Sequence, residues 1–279
     1  MERLSIMKSN PSNFTQWYLA FTFFLGYFLS ILFLIEKAIG ALVIVMAIPA
    51  LMAAILLLAE HRSIKSLFAP FTKRITGKGI AFTFVYPLVI LLLCAALALV
   101  TKQGTLSSNW ATELPQVPLL ILLSIPGFFL GLLEEYGWRG YLLPRWAEQY
   151  GLAGATWRVG LVWALYHLPA LLLINLQFGF WSALLFTSIQ GVTIFLFNFG
   201  FSYLYSLSQN VILPSVMHIL WNNVNVKVLG DTYRASSNGI ILGDVHIING
   251  ESLFGLIVSA LFAFFLWRRL KKPNLRISE

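Results

Sequence analysis

The sequence predicts an all-α protein, a polytopic membrane helix bundle of about eight transmembrane helices. Of its 279 residues, 58% are hydrophobic and only 11% are charged, whereas a soluble domain carries about 25% charged residues. The mean hydropathy of +0.79 agrees with an integral membrane protein. No segment has the composition of a separate soluble domain, so residues 1–279 are interpreted as a single integral membrane domain.

The first predicted helix is Trp17–Ile35. Its apolar run of 19 residues is longer than the roughly 7–15 apolar residues of a cleaved signal peptide, and no small-x-small cleavage site follows. We therefore expect it to remain as a transmembrane helix. Four more apolar runs have the length of about 20 residues that crosses a bilayer: Ala38–Ala59, Gly79–Thr101, Pro118–Leu143 and the shorter Ser252–Trp267.

The region Val159–Val226 is long enough for three further helices. It contains 68 residues without Asp, Glu, Lys or Arg, which as a helix would extend about 100 Å, or about three bilayer cores. Two polar stretches, Asn175–Gly179 and Ser206–Asn210, are the expected breaks. Pro214 suits the first turn of the helix that follows the second break.

Lys and Arg residues are distributed unevenly between the predicted loops. With eight alternating helices and a cytoplasmic N-terminus, 14 of them fall on cytoplasmic segments: Arg3, Lys8, Arg62, Lys65, Lys73, Arg74, Lys78, Arg145, Arg158, Arg268, Arg269, Lys271, Lys272 and Arg276. The opposite side holds four: Lys37, Lys102, Lys227 and Arg234. Because cytoplasmic loops carry the excess of positive charge, we expect a multi-pass protein of the cell membrane with both termini in the cytoplasm.

The net charge of +8 does not indicate nucleic-acid binding, because the basic residues lie in short segments between apolar runs. Membrane lipid is the expected partner of the basic loop and tail. Cys94 is the only cysteine, which excludes a disulfide within the chain and a zinc site built from several thiolates.

Two adjacent glutamates, Glu134 and Glu135, follow 20 residues that contain no Asp, Glu, Lys or Arg. One charged residue at the centre of an inserted helix costs about 2.5–3.5 kcal/mol, and an ionisable residue at membrane depth predicts a functional site. Arg139 lies four residues after Glu135, so the two side chains can form an ion pair on one helix face. Glu134 is rotated away by about 100°, and we expect it to face a polar cavity instead.

Two later helices supply the polar partners that such a cavity requires. His167 lies four residues after Trp163, and His218 and Asn222 share one face of another helix. Each group alone has a structural alternative: a solvated pair at a helix end for the glutamates, a packed histidine at a kink for His167, and interhelical hydrogen bonding for the third group. Three tryptophans near these groups are expected to pack rather than react: Trp138, Trp163 and Trp221.

The three groups, in this order and each on its own apolar helix, resemble the motifs of the CAAX protease and bacteriocin-processing family, the Abi-type membrane proteases related to the type II CAAX prenyl endopeptidase. Glu134, Glu135 and Arg139 match the first motif and His167 the second, with Trp163 where the family often has Phe. His218 and Asn222 match the third. The resemblance covers residues 118–226, the expected catalytic core.

The resemblance implies hydrolysis of peptide bonds inside the membrane by glutamate-activated water. Glu134 is the expected general base, and His167 can orient or deprotonate the water. His218 and Asn222 can donate hydrogen bonds to the oxyanion, while Glu135 and Arg139 support the site. The expected substrate is a peptide or a membrane-tethered protein segment, with or without a prenyl group.

Three alternatives stay open at this point. Two histidines and a glutamate can hold a catalytic zinc; we favour a site without a metal or other cofactor, because the histidines lie on different helices and no His-Glu-x-x-His run is present. A bacteriocin-immunity or scaffold protein would keep the fold without catalysis. An ion-coupled transporter would use buried Glu and His as a proton relay, but the two halves contain no matching pair of broken helices.

Overall fold

The computed structural model describes residues 11–36, 38 and 42–272, and within them the chain is almost entirely helical. The α-helices are α1 (Pro11–Ile35), α2 (Leu42–His61), α3 (Gly77–Val100), α4 (Trp110–Glu113), α5 (Val117–Ser124), α6 (Phe128–Glu135), α7 (Leu143–Asn175), α8 (Phe180–Ser208), α9 (Ile212–Leu229), α10 (Val245–Ile248) and α11 (Leu253–Leu270). Short 3-10 helices occupy Ile64–Phe71, Leu114–Gln116, Ile125–Gly127 and Leu176–Phe178, and a π-helix occupies Tyr136–Leu142. Strands β1 (Gly104–Leu106) and β2 (Ile241–Gly243) pair antiparallel.

The polytopic helix bundle predicted from composition is confirmed, and both expected breaks in the long apolar region are present. The chain turns after α7 at Gly179, whose φ of 88° ends the preceding 3-10 helix. It turns again between α8 and α9, where Gln209 adopts the left-handed conformation. Pro214 lies in the first turn of α9, where its missing N–H removes no helical hydrogen bond.

The predicted count of eight transmembrane helices stays a prediction. In the described residues, six segments are long and apolar enough to cross a membrane. One of them, Trp110–Phe178, has 69 residues and includes two of the predicted helices. The helix α9 is not among the six, because its polar residues lower its hydropathy; it is instead largely surrounded by protein.

The connection predicted between the fourth and fifth membrane helices is itself helical. Instead of a loop, α7 begins at Leu143, directly after the π-helix, and changes direction at Gly151, where φ is 67° and ψ is 162°. A residue with a side chain would be strained at this φ. Arg145 forms an ion pair with Glu60, which joins the start of α7 to the end of α2.

The two histidine-bearing helices and the glutamate-bearing helix pack at the centre of the bundle. The helix α6 lies between α2 and α9, and α7 packs against α8 and α1. Close approach of α6 to α9 depends on Gly131, since a Cβ at this position would collide with the Ser215 carbonyl of α9. The backbone of α6 can therefore bring Glu134 and Glu135 directly beside His218.

The segment between α9 and α11 covers one end of the bundle, and residues 230–252 are named the cap. Asn249 Nδ2 donates to the Gly230 carbonyl at 2.7 Å, and Asn225 Nδ2 donates to Asn249 Oδ1 at 2.9 Å. These bonds tie the start of α11 to the end of α9. The pairing of β2 with β1 further joins the cap to the segment that follows α3.

Most of the basic side chains of the described residues lie at the end of the bundle opposite the cap. Which end faces the cytoplasm stays a prediction. Four of the residues that entered the predicted charge distribution lie outside the described residues: Arg3, Lys8, Lys37 and Arg276. The interpretation of residues 1–279 as one membrane domain, with residues 118–226 as its catalytic core, also stays a prediction.

Candidate active site

The first motif lies where α6 passes into the π-helix, and all three of its charged residues are buried. Glu134 is 2% exposed, and Glu135 and Arg139 are both 0% exposed. π-helical turns occur frequently at functional sites. The helix geometry directs the two carboxylates to different partners, as the 100° rotation between neighbouring residues requires.

Glu135 is the centre of a buried polar network. Arg139 Nη1 donates to Glu135 Oε1 at 2.9 Å, so the ion pair expected from the spacing is present. His218 Nδ1 donates to the same oxygen at 2.8 Å. We expected His218 to accompany Glu134; it does line the same cavity, but its hydrogen-bonded carboxylate is Glu135, because α9 packs directly against α6.

The second terminal nitrogen and the two faces of the Arg139 guanidinium contact residues of α7 and α8. Arg139 Nη2 donates to Asn198 Oδ1 at 2.9 Å, and Asn198 Nδ2 donates in turn to the Thr156 carbonyl at 2.8 Å. The guanidinium carbon lies 4.4 Å from the Trp163 ring centroid and 4.6 Å from that of Phe201. These aromatic faces stabilise a desolvated cation, and the whole arrangement fixes Glu135 against α7, α8 and α9.

Glu134 is held by two indoles and faces the second motif. Its Oε2 accepts from Trp163 Nε1 at 2.9 Å and from Trp138 Nε1 at 3.3 Å. His167 Nε2 lies 3.9 Å from the same oxygen. Both tryptophans were expected only to pack; they also position the carboxylate that we predicted to be the base.

The hydrogen bonding of His167 defines which nitrogen faces Glu134. Its Nδ1 lies 2.8 Å from the Trp163 carbonyl oxygen, and a carbonyl only accepts, so Nδ1 carries a proton. In the neutral imidazole, Nε2 is then an acceptor directed to Glu134. Trp163 thus orients both residues: its indole binds Glu134 and its carbonyl binds His167.

A cavity of about 690 Å³ brings the predicted site residues together. Glu134, His167, His218 and Asn222 all line it. Apolar residues of α2, α5 and α7 form much of its wall: Val43, Val45, Met46, Leu120, Ala170 and Ile174. A second, small cavity of about 40 Å³ adjoins His167, His218 and Asn222 on the side of α8. The structure therefore places one glutamate, two histidines and one asparagine around a single space.

Glu251 is a site residue that the sequence did not reveal. It lines both cavities, and its Oε1 accepts from Trp221 Nε1 at 2.9 Å. Its carboxyl group also interacts with the Tyr233 phenol of the cap. The Glu251 backbone N–H donates to Asn249 Oδ1 at 2.9 Å, so the cap holds this carboxyl group in place.

Tyr233 of the cap lies beside Glu251 in the same cavity. Its burial, and secondarily the nearby Glu251 carboxylate, raise the pKa of the Tyr233 phenol well above its ordinary value. The phenol therefore stays protonated at neutral pH. In the sequence, Tyr233 and Glu251 belong to the polar segment between two membrane helices, and nothing in their spacing connects them to the three motifs.

The described residues contain no group of three or more His, Cys, Asp or Glu side chains arranged to hold a metal ion. Glu134 and His167 are close to each other, but His218 Nδ1 is bonded to Glu135. A zinc site would have to use His218 Nε2 together with these two residues.

Residues 116–224 match the family described as type II CAAX prenyl endopeptidase Rce1-like. This range contains all three motifs, and it confirms the resemblance inferred from them. No curated protein matches the chain significantly.

Proposed function

We propose that this chain, whose residues 116–224 match the type II CAAX prenyl endopeptidase Rce1-like family, hydrolyses peptide bonds within the membrane with water activated by Glu134. One observation carries the proposal: the Glu134 carboxylate and the His167 imidazole face each other across 3.9 Å at the buried end of the cavity. A water molecule can lie within hydrogen-bond reach of both groups.

Glu134 acts as the general base. As the water oxygen bonds to the carbonyl carbon of the substrate, Glu134 takes one of its protons, and His167 Nε2 accepts a hydrogen bond from the other. When the C–N bond breaks, Glu134 returns its proton to the leaving amine. General acid–base catalysis of this kind contributes about 10²–10⁴-fold to a rate, and the two indoles keep the carboxylate from rotating away.

Asn222 and His218 stabilise the oxyanion of the tetrahedral intermediate. The Asn222 amide can donate through Nδ2. Donation by His218 requires a proton on Nε2, and because Nδ1 already donates to Glu135, His218 must then be an imidazolium. The adjacent Glu135 carboxylate stabilises that charge, which gives the Glu135–Arg139 pair a role in the site as well as in packing.

Glu251 contributes to substrate binding. Its carboxyl group lies at the wall of the cavity beside the Tyr233 phenol, where it can also accept an N–H from the peptide backbone. Together with Asn222 it offers both acceptor and donor groups to an extended chain. The apolar wall opposite suits aliphatic side chains, and the substrate is therefore a peptide or a membrane-tethered protein segment, prenylated or not.

No metal takes part in this mechanism. Zinc coordinated by His167, His218 and Glu134 is the alternative. Binding through His167 Nε2 would keep the hydrogen bond from Nδ1 to the Trp163 carbonyl. Binding through Nδ1 would require the ring to turn and would break that bond. Elemental analysis of the purified, active protein tests this directly. One zinc per chain, with activity lost on chelation and restored by added zinc, would contradict the metal-free mechanism.

The proposal is tested by comparing the protein N-termini of cells that express the wild-type chain, Glu134→Gln or Glu148→Gln. Glu148 is exposed on α7 and does not line the cavity, so its variant controls for loss of one carboxylate. New N-termini that appear with the wild type and Glu148→Gln but not with Glu134→Gln identify the cleaved bond. Identical N-termini in all three would favour a non-catalytic immunity or scaffold protein of this fold.

A further inference from the structure

The 690 Å³ cavity extends from the buried glutamate to the cap end of the bundle. Its inner wall includes Glu134 and His218, which are 2% and 6% exposed. Its outer wall includes Val226, Arg234 and Asn238, all of which are exposed. A substrate that enters along this path would therefore pass the cap before it reaches the catalytic groups.

The opposite end of the bundle carries most of the positive charge. Structural contacts place its basic segments together: Arg145 pairs with Glu60, and Asn210 Nδ2 donates to the Lys73 carbonyl at 2.9 Å. The basic residues described at this end are Arg62, Lys65, Lys73, Arg74, Lys78, Arg145, Arg158, Arg268, Arg269, Lys271 and Lys272. The cap end has only Lys102, Lys227 and Arg234 among the described residues.

Acidic residues show the reverse distribution. The basic end has Glu60 and Glu148, whereas the cap end has Glu36, Glu113, Asp231, Asp244 and Glu251 among the described residues. Two of the three cations at the cap end are also compensated, because Lys227 Nζ lies 3.4 Å from Glu113 and Arg234 Nη1 lies 3.9 Å from Asp231. Lys and Arg in short loops determine which side stays in the cytoplasm, so the contrast between the ends is a strong orientation signal.

We infer that the catalytic cavity opens on the non-cytoplasmic side of the membrane, and that its substrate is a segment of a translocated or outward-facing membrane-tethered protein. This inference rests on the proposed function for the reaction itself. It narrows the substrate class, because cytoplasmic proteins anchored to the inner leaflet would meet the basic end of the bundle, opposite the end at which the catalytic cavity opens. Exported peptide precursors meet the open end.

The walls of the cavity agree with such a substrate. Val43, Met46 and Ile174 form an apolar side, whereas Asn238 and Arg234 form a polar rim at the cap. A segment with aliphatic residues beside the cleaved bond and polar residues outside the membrane would match both parts. The rim has charges of both signs, since Asp231 lines it as well as Arg234. A segment with a high charge of one sign would therefore gain no electrostatic attraction to the rim.

Cysteine accessibility tests the side of entry without any substrate. In a Cys94→Ala background, Asn238→Cys reports on the rim, Ile174→Cys on the cavity wall and Arg74→Cys on the basic end. Each variant is treated with a small, membrane-impermeant methanethiosulfonate, in intact cells and in inside-out membrane vesicles. The Cys94 thiol is buried, and its removal leaves the introduced cysteine as the only reactive thiol.

We expect Asn238→Cys and Ile174→Cys to react at least about tenfold faster in intact cells, and Arg74→Cys to react faster in inside-out vesicles. Faster reaction of Ile174→Cys in inside-out vesicles would overturn the inference.

A second experiment uses the cleaved segment found by N-terminal comparison, fused to a membrane anchor on either face of the membrane. Cleavage of only the outward-facing fusion supports the inference, and cleavage of only the inward-facing fusion contradicts it. Cleavage of neither, with the expected labelling, would instead count against the proposed proteolysis.

Discussion

Replacement of Glu135 by Gln should destabilise the folded protein strongly, because it leaves the Arg139 cation buried without its counter-charge. Both residues are 0% exposed, and Glu135 Oε1 accepts two hydrogen bonds, from Arg139 at 2.9 Å and from His218 at 2.8 Å. Loss of one partner from a buried ion pair costs about 3–5 kcal/mol. The ratio of folded to unfolded protein should then fall by roughly 10²- to 10⁴-fold.

Unfolding by increasing mole fractions of denaturing detergent in mixed micelles measures this difference. Glu113→Gln is the matched control, since it removes the carboxylate of a half-exposed pair with Lys227, and such a pair contributes only about 0–1 kcal/mol. A further change of Arg139 to Met in the Glu135→Gln protein should recover part of the stability by removing the stranded cation. Equal effects of Glu135→Gln and Glu113→Gln would refute the assigned role of the buried network.

The remaining predictions concern the other polar groups of the site. Asn222→Ala should lower kcat by about 10²–10³-fold with a much smaller change in KM, as expected for loss of one oxyanion donor; an effect on KM alone would contradict that role. Asn198→Ala should cost about 1–3 kcal/mol of stability, since it leaves Arg139 Nη2 without its acceptor, and unchanged unfolding would argue against it. Glu251→Gln keeps an oxygen for Trp221 but replaces the second carboxylate oxygen by an amide NH₂, so KM for the identified peptide should rise about 10- to 100-fold with kcat nearly unchanged.

Residue spacing was sufficient to predict the central part of the site. Glu135 and Arg139 are four residues apart, and their ion pair is present because the local helix keeps the two side chains on one face despite the π-helical turn. The three motifs converge on one cavity because each lies within an apolar helix whose polar groups have to face protein rather than lipid. Their catalytic roles remain predictions.

Other parts of the site depend on tertiary contacts that spacing does not encode. Asn198 belongs to a helix with several scattered polar residues, and only the packing of α8 against α7 selects it as the acceptor for Arg139. Glu251 lies in the polar cap, where a charged residue normally faces water. It enters the cavity because Asn225 and Asn249 fix the turn before α11.

The membrane topology was predicted less completely than the convergence of the three motifs. Composition identified the apolar runs, but α9 combines the third motif with four further polar residues, Ser215, Asn223, Asn225 and Lys227. Hydropathy alone therefore does not mark it as a membrane helix. Because neighbouring helices bury α9, its polar side chains contact protein rather than lipid. Likewise, the helical start of α7 and the turn at Gly151 follow from backbone conformation that the loop-like composition of the segment did not indicate.

The central claim is that Glu134 activates the water that cleaves the peptide bond, and turnover by purified Glu134→Gln tests it most directly. The substrate is a synthetic peptide that spans the bond identified from cellular N-termini, and folding is verified by unfolding in mixed micelles. Gln keeps the shape of the side chain and an acceptor for the Trp163 indole but cannot accept the proton. We predict that cleavage falls by at least about 10²-fold while peptide binding persists and Glu148→Gln retains full activity. Cleavage by folded Glu134→Gln at a rate near that of the wild type would contradict the account.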